Sequence, residues 1–311
     1  MRANNYFYRK EAKALRTASG FFIFFCGTLR LPAESRFSGS RNGVYGFVVK
    51  LLTMLIFILL IACEEKINIS LKSENTALLV VEGVLTNEKI KHLVKLSLPY
   101  QTINGTSQPA TGAVATVTEG NNTYPLTETP AGSGLYLTDS MIAVVDKAYV
   151  LTIQYQGKPY FAQDVSVPVE PMDPLQYRSA NKAQYFTLTL SGSGTGANYV
   201  RHDINWKNTP FCSTDTCAGL VIYYDLKTID VNEIYKPSKT EFDFPPGSTI
   251  IRTKYSASPA YKAFLRGVLS ETEWRGGIFD VERANAPTNL SEGAIGFFAV
   301  STVISDTTVV K

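Results

Sequence analysis

The chain has 311 residues, of which 45% are hydrophobic and 18% are charged, with 15 Pro and 22 Gly. These proportions exclude a disordered chain, a coiled coil and a collagen, and are typical of one or two globular domains. Two His and four Cys leave little material for a metal cluster or a His-based catalytic centre. The formal charge is +3, but residues 63–311 hold 21 basic and 25 acidic side chains. A nucleic-acid partner is therefore not expected.

An apolar run near the amino end predicts a cleaved export signal. From Leu51 to Ala62 every residue except Thr53 is apolar, and Lys50 stands directly before the run. A run of 12 residues is too short to cross a bilayer as a helix, which needs about 20. A basic flank, a short apolar stretch and a small residue at the cut are the features of a secretory signal.

The residues that end this run indicate a lipoprotein. Leu60-Ile61-Ala62-Cys63 resembles the lipobox of bacterial lipoproteins, in which the Cys thiol receives a diacylglycerol and a signal peptidase cuts before it. We therefore predict cleavage after Ala62 and lipid attachment at Cys63; the alternative is a buried strand that ends in Cys. Several acyl chains give stable membrane residence, whereas one chain binds reversibly. Glu64 and Glu65 resemble the signal that exports Bacteroidota lipoproteins to the outer face of the outer membrane, although a solvated linker would also be polar.

A signal that began at Met1 would be longer than the usual length of roughly 15 to 30 residues. We therefore predict that residues 1–47 lie upstream of the true start and that residues 48–62 are the signal peptide. Residues 63–77 are then a lipid-anchored tether.

Residues 78–169 repeat short runs of alternating apolar and polar residues, separated by Gly, Asn, Pro and Asp. This pattern predicts roughly seven strands, the last two joined by a hairpin at Gln156-Gly157-Lys158. The fold class that it favours is mainly β, with an immunoglobulin-like or transthyretin-like sandwich as the first domain.

A Pro-rich junction at residues 170–174 is predicted to separate this sandwich from a second β-rich domain at residues 175–311. That domain carries one amphipathic helix at about residues 259–270. Ser258 is its predicted N-cap and Pro259 its first helical residue, and the apolar residues that follow recur on one face.

Two further features of the second domain have competing interpretations. Cys212 and Cys217 favour a disulfide bond in an exported protein, with two reduced thiols or a metal site as the alternatives. The Gly- and Ser-rich residues 191–196 could suggest a phosphate cradle, but the Lys-Ser/Thr and the strand-to-helix context that such a cradle requires are missing. A hairpin loop is expected there.

Seven short motifs characterise the secreted part of the sequence. They are Val81-Glu82-Gly83, residues 113–118, Gly134-Leu135-Tyr136, Phe244-Pro245-Pro246-Gly247, Trp274-Arg275-Gly276-Gly277-Ile278-Phe279-Asp280, Thr288-Asn289-Leu290 and Gly293-Ala294-Ile295-Gly296-Phe297-Phe298. In this combination residues 63–311 resemble the Bacteroidota lipoprotein family catalogued as domain of unknown function 4249. The resemblance implies an outer-membrane lipoprotein, often encoded beside TonB-dependent transporters, and it supplies no catalytic or binding residues.

These observations predict a non-enzymatic surface protein of the outer membrane, without a cofactor or a bound metal, that serves an envelope uptake system. Its partners would be the membrane, through the lipid, and a TonB-dependent transporter. The rim of the segment from Trp274 to Phe298 is the predicted binding surface, with Trp274, Arg275 and Asn289 as the recognition residues. The alternative is that these residues only stabilise the fold.

Two other functions stay open. Glu273, Asp280 and Glu282 lie near Trp274 in the sequence. Because glycoside hydrolysis needs two carboxylates, they keep a surface glycan- or peptide-active hydrolase as the first alternative. An adhesion or matrix module is the second, because the same fold would serve it.

Overall fold

Alternation of apolar and polar residues produces strands along most of the part of the chain that the structure describes. The computed structural model describes residues 78–100, 105–213, 216–235, 241–277 and 286–311. The first seven strands are β1 (Leu79–Thr86), β2 (Ile90–Ser97), β3 (Val114–Glu119), β4 (Asn122–Glu128), β5 (Leu135–Met141), β6 (Ala148–Tyr155) and β7 (Lys158–Val165). The others are β8 (Tyr177–Ser179), β9 (Phe186–Leu188), β10 (Asn198–Asn205), β11 (Ala218–Asp225), β12 (Asp243–Phe244), β13 (Thr249–Ser256), β14 (Ala294–Ser301) and β15 (Val303–Val309). The described helices are α1 (Val231–Ile234) and α2 (Pro259–Glu271). The mainly β class predicted from the sequence is confirmed.

Eight strands form one large sheet in the order β14-β1-β2-β5-β4-β3-β6-β7. Neighbouring strands are antiparallel except for β1 and β14, which run parallel from the Leu79–Ala294 pair to the Thr86–Ser301 pair. The predicted β6–β7 hairpin is present, and its turn residues Gln156 and Gly157 have φ of 48° and 76°. Positive φ at both positions matches the twist of the flanking strands.

The two end strands of the large sheet approach each other, so the sheet nearly closes around its own core. Isolated bridges join Ala162 to Leu290 and Val167 to Ser301 across this seam. The interior is almost entirely apolar, and its largest fully buried side chains include Tyr136, Tyr149, Phe298, Leu85, Leu96, Leu151 and Ile153. The sequence predicts two facing sheets here, and the structure instead has one curled sheet, because continuous strand pairing runs from β14 to β7.

The remaining strands form two smaller sheets that pack on each other. One has the order β11-β10-β13-β15 and the other β12-β9-β8. Between them lies a second apolar cluster formed by Leu188, Ile204, Phe244, Ile250 and Val310, with six half-buried neighbours. The four-stranded sheet therefore has one covered face, which meets the three-stranded sheet, and one opposite face.

Helix α2 begins as the sequence predicts and lies on the outer side of β14. The Ser258 hydroxyl accepts a hydrogen bond from the Tyr261 N–H at 3.1 Å, which satisfies a donor of the first turn. The apolar side of α2 packs on β14, with the rings of Tyr261 and Phe297 5.1 Å apart. A third apolar cluster forms there around Leu265 and Leu269.

Strand pairing crosses the boundary that the sequence predicts at residues 170–174. Strand β14 belongs by sequence to residues 175–311, yet it pairs with β1 as an end strand of the large sheet. All described residues fall in one compact unit that ends at Lys311. The predicted signal region (1–62) and tether (63–77), with Cys63 and Ala62, lie outside the described residues.

Candidate functional site

Cys212 and Cys217 form a disulfide bond in the structure, with their Cα atoms 5.6 Å apart. The bond joins the segment after β10 to the residue before β11. Cys217 is buried, and its carbonyl accepts a hydrogen bond from the Trp206 N–H. Of the three states weighed from the sequence, the structure contains the disulfide.

Trp274 is only 4% exposed, so the prediction that it forms part of a binding surface is wrong. The chain turns immediately after α2, where the Trp274 N–H donates to the Leu269 carbonyl at 2.8 Å. This turn places the indole in the apolar cluster between α2 and β14. Arg275 does remain exposed, and it forms a surface ion pair with Glu271 at 3.1 Å.

Asn289 uses its amide group to close the seam of the large sheet. Its Nδ2 donates to the carbonyls of Gln163 on β7, at 2.9 Å, and of Phe298 on β14, at 2.7 Å. Its Oδ1 accepts from the Phe298 N–H at 3.1 Å. These bonds give the Asn289 side chain a structural role, because they replace the strand pairing missing between β7 and β14.

A buried carboxylate supports the same seam. Asp164 on β7 accepts a hydrogen bond from the Val300 N–H of β14 at 2.9 Å. Burial raises the pKa of Asp164, while hydrogen bonds from Ser258 and from the Val300 N–H act in the opposite direction. Asp164 thus links the large sheet to the start of α2.

Only one of the three carboxylates of the hydrolase hypothesis, Glu273, lies among the described residues. Asp280 and Glu282 lie outside them, and Glu273 follows the end of α2. In the part of the chain that the structure describes, no three His, Cys, Asp or Glu side chains are placed to hold a metal ion.

The Gly- and Ser-rich loop, residues 191–196, binds an anion, but that anion is the protein's own Glu170. The Glu170 carboxylate accepts from the Thr195 N–H at 2.6 Å, the Thr195 hydroxyl at 2.8 Å and the Gly196 N–H at 3.2 Å. These bonds, led by that from the Thr195 side chain, lower the pKa of Glu170. Gly194 has a φ of 78°, which favours glycine, and a Cβ there would displace the Glu170 carboxylate from its present position. The segment is not the expected hairpin, because it joins β9 of the three-stranded sheet to β10 of the four-stranded sheet. It holds Glu170, the first residue of the predicted junction, in place.

A charged layer covers the inner face of the four-stranded sheet, and Lys254 on β13 is its most buried cation. Lys254 is 1% exposed. Its Nζ donates to the Ser193 hydroxyl at 3.1 Å and, at longer range, to the carbonyls of Ser193 and Pro171. Burial lowers the pKa of Lys254, and the nearby Glu170 and Asp225 act against this.

Arg252 and His202 lie side by side in the same layer, as cross-strand partners on β13 and β10. Arg252 makes a two-point ion pair with Asp306 on β15 and donates to the Asp173 carbonyl at 3.0 Å. The His202 Nδ1 lies 3.2 Å from the Val221 carbonyl. Burial lowers the pKa of His202, and the Arg252 charge adds to this effect.

A small hollow opens beside this charged layer, between residues 172–176 and 189–193. His202, Tyr223 and Arg252 contribute to its lining. Its volume is about 40 Å³, enough for a few water molecules. Pockets for small organic ligands are typically about 300–1,000 Å³. The layer therefore works as a polar core, in which Arg252 pairs with Asp306 and Lys254 is held by the hydroxyl and carbonyl groups around it.

The opposite side of the four-stranded sheet is more accessible, and we call it the open face. It consists of Ala218, Leu220, Ile222, Tyr224, Tyr199, Arg201, Asp203, Asn205, Thr249, Ile251, Thr253, Tyr255, Val303, Ser305, Thr307 and Val309. Ile251 and Val309 are 45% and 56% exposed. Near its middle, the Arg201 guanidinium makes two hydrogen bonds of 2.7 Å with the Asp203 carboxylate.

One end of the open face is closed by aromatic rings that lead to α2. Tyr199 and Tyr255 stack with their ring centres 4.6 Å apart, and Tyr261 of α2 meets Tyr199 edge-on at 6.3 Å. Burial raises the pKa of Tyr199 well above its usual value, so its phenol is neutral. The other end, with Ile251 and Val309, points away from this helix.

Comparison with known proteins assigns the family but no activity. Residues 64–307 match the family described as a domain of unknown function, DUF4249. The chain belongs to the DUF4249 family. No curated protein matches this DUF4249 chain significantly. Among the described residues, neither helix has the length and apolar character needed to cross a bilayer.

Proposed function

We propose that this DUF4249 chain is a lipid-anchored protein of the outer membrane, facing the cell surface. In this role it captures a ligand or partner for a TonB-dependent uptake system and catalyses no reaction itself. The apolar run from Leu51 to Ala62 and the Cys that follows it support the anchor. The family match begins at residue 64, directly after the proposed lipid site at Cys63, and this supports a mature chain that starts there.

The observation that carries the capture role is the open face of the four-stranded sheet. Its partly exposed Leu220, Ile222 and Ile251 belong to none of the apolar clusters that the described residues form. The Arg201–Asp203 pair adds charged groups to the same face. Protein interfaces combine an apolar centre with hydrogen-bonding groups in this way. An adhesion module would present a similar face, so the identity of the captured partner distinguishes the two functions.

The anchor is tested by Cys63→Ser, with Cys26→Ser as the matched control in the predicted upstream segment. Cells that express each variant are fed labelled palmitate, and membranes are separated from soluble protein. We expect Cys63→Ser to lose the label and leave the membrane fraction, and Cys26→Ser to behave as the unmodified chain. Label retained by Cys63→Ser would overturn the anchor.

The capture role is tested by Ile251→Lys, which places a charge in the open face. Val114→Lys is the control, because Val114 is 68% exposed on the large sheet. Cross-linking in cells and mass spectrometry should identify a TonB-dependent transporter with the unmodified chain and with Val114→Lys. We expect at least a tenfold loss with Ile251→Lys. Equal recovery from both variants, or release of sugars or peptides from envelope material by the purified chain, would contradict the proposal.

A further inference from the structure

The segment after β11 exposes apolar side chains that nothing in the capture role uses. We call residues 227–235, which include the short helix α1, the apolar loop. Ile229 is 87% exposed, which is the highest value among the large hydrophobic residues that the structure describes. Ile234 is 61% exposed and Tyr235 48%. Exposed apolar residues that are scattered singly are ordinary, and three within seven positions depart from that pattern.

Two side chains of helix α2 bind the apolar loop and fix its position. The Asp230 side chain is fully buried and accepts a hydrogen bond from the Arg266 Nε at 2.8 Å. Lys262 Nζ donates to the Lys227 carbonyl at 3.2 Å. A buried carboxylate is tolerated only when it is paired, so the Asp230–Arg266 contact sets the position of the loop. Because these contacts with α2 fix the backbone at Asp230, the neighbouring Ile229 side chain is held exposed to solvent.

We propose that the apolar loop inserts into the surface of the membrane that holds the chain. Ile229 and Ile234 would enter the boundary between headgroups and acyl chains, with Tyr235 at the headgroup level. This inference rests on the lipid anchor of the proposed function, and it adds a second, protein-borne contact that orients the chain.

The length of chain between the anchor and the fold supports a lipid surface as the occupant. Only residues 64–78 separate Cys63 from the start of β1 at Leu79. That stretch spans at most about 55 Å when fully extended. The tether therefore keeps the loop at high local concentration near the bilayer, where a weak insertion is effective.

The contact is tested first without the anchor. The full chain with Cys63→Ser is sedimented with vesicles of phosphatidylethanolamine and phosphatidylglycerol. We expect measurable binding that falls about tenfold for Ile229→Ser and further for Ile229→Ser with Ile234→Ser, because each buried isoleucine is worth about one decade. The control is Ile251→Ser with Val309→Ser, two comparably exposed residues of the open face. Equal loss in both double variants would overturn the inference.

A depth measurement separates the loop from the anchor. Ile229→Trp and Val309→Trp are made in the lipidated chain, which is placed in vesicles that contain brominated lipid. We expect quenching of the tryptophan at position 229 and none at position 309. If the lipidated chain sediments with these vesicles but the tryptophan at position 229 is not quenched, the loop does not insert. The sedimentation would then still support the lipid anchor. Loss of transporter cross-linking by Ile229→Ser, without any change in vesicle binding, would assign the loop to a protein cleft instead.

Discussion

The large sheet buries mostly apolar side chains, whereas the four-stranded sheet buries two cations beside its apolar cluster. Inside the large sheet, Val81, Leu96 and Leu151 are completely buried among other apolar groups. On the inner face of the four-stranded sheet, Lys254 and Arg252 are buried at 1% and 7% exposure. Apolar packing is non-directional, whereas a buried charge requires partners at fixed positions. The large sheet is therefore stabilised mainly by close apolar packing, whereas the inner face of the four-stranded sheet depends on hydrogen-bond partners at fixed positions.

The largest expected effect is on the apolar region. Phe298→Ala removes a fully buried ring from β14, and we expect a loss of about 3–5 kcal/mol in the free energy of unfolding. Strand β14 belongs to the large sheet and leads through Thr302 directly into β15 of the four-stranded sheet. Because the two sheets are joined in this way, we expect them to unfold together, in a single thermal transition. Phe161→Ala, on the exposed side of β7, is the control and should change stability by about 0.5 kcal/mol or less.

Two separate transitions in a calorimetric scan, of which Phe298→Ala shifts one, would contradict this prediction. That result would restore the predicted division of the chain into two domains at residues 170–174.

The next effect concerns the charged layer. Lys254→Met keeps most of the side-chain volume but leaves the carbonyls of Pro171 and Ser193 without this donor. We expect a loss of about 1–3 kcal/mol, measured by urea unfolding. Lys158→Met, at an exposed site on β7, is the control and should be nearly neutral. A more stable Lys254→Met protein would show that the charged layer costs stability.

The same difference explains which parts of the fold could be predicted from the sequence. The β6–β7 hairpin and α2 follow from local signals, the Gly157 turn and the Ser258-Pro259 start. Strand β13 gives no such signal, because Arg252 and Lys254 share its inner side with Ile250 while Ile251 lies outside. The parallel pairing of β14 with β1 joins residues more than 200 positions apart, which no local pattern encodes.

The site residues show the same limit. The spacing of Cys212 and Cys217 was sufficient to favour the disulfide that the structure contains. Trp274 and Asn289 have side chains common at interfaces, but their place is set by the end of α2 and by the seam of the large sheet. The exposure of Ile229 depends on the burial of Asp230 beneath it, which alternation along the chain does not reveal.

The smallest predicted effect compares one buried histidine from each region. In the large sheet, His92 places its Nε2 3.2 Å from the Met141 carbonyl, and burial lowers its pKa from 6.5. His202 in the charged layer is lowered from the same value, again chiefly by burial. Above about pH 6.5 both histidines are neutral in the folded and the unfolded chain. As the pH falls below that value, only the unfolded chain gains these protons, so stability falls until the folded pKa values are reached.

We therefore expect the free energy of unfolding in urea to decline between about pH 7 and pH 5.5, by at most about 1.4 kcal/mol per pH unit for each histidine. His92→Gln and His202→Gln should each make this decline shallower, whatever they do to stability at neutral pH. Asp164 acts in the opposite direction, because its raised pKa favours the folded state as the pH falls. The difference in slope between each variant and the unmodified chain isolates the histidine. If only His202→Gln changes the slope, protonation of the charged layer alone limits acid stability, and the two regions differ in this respect as well.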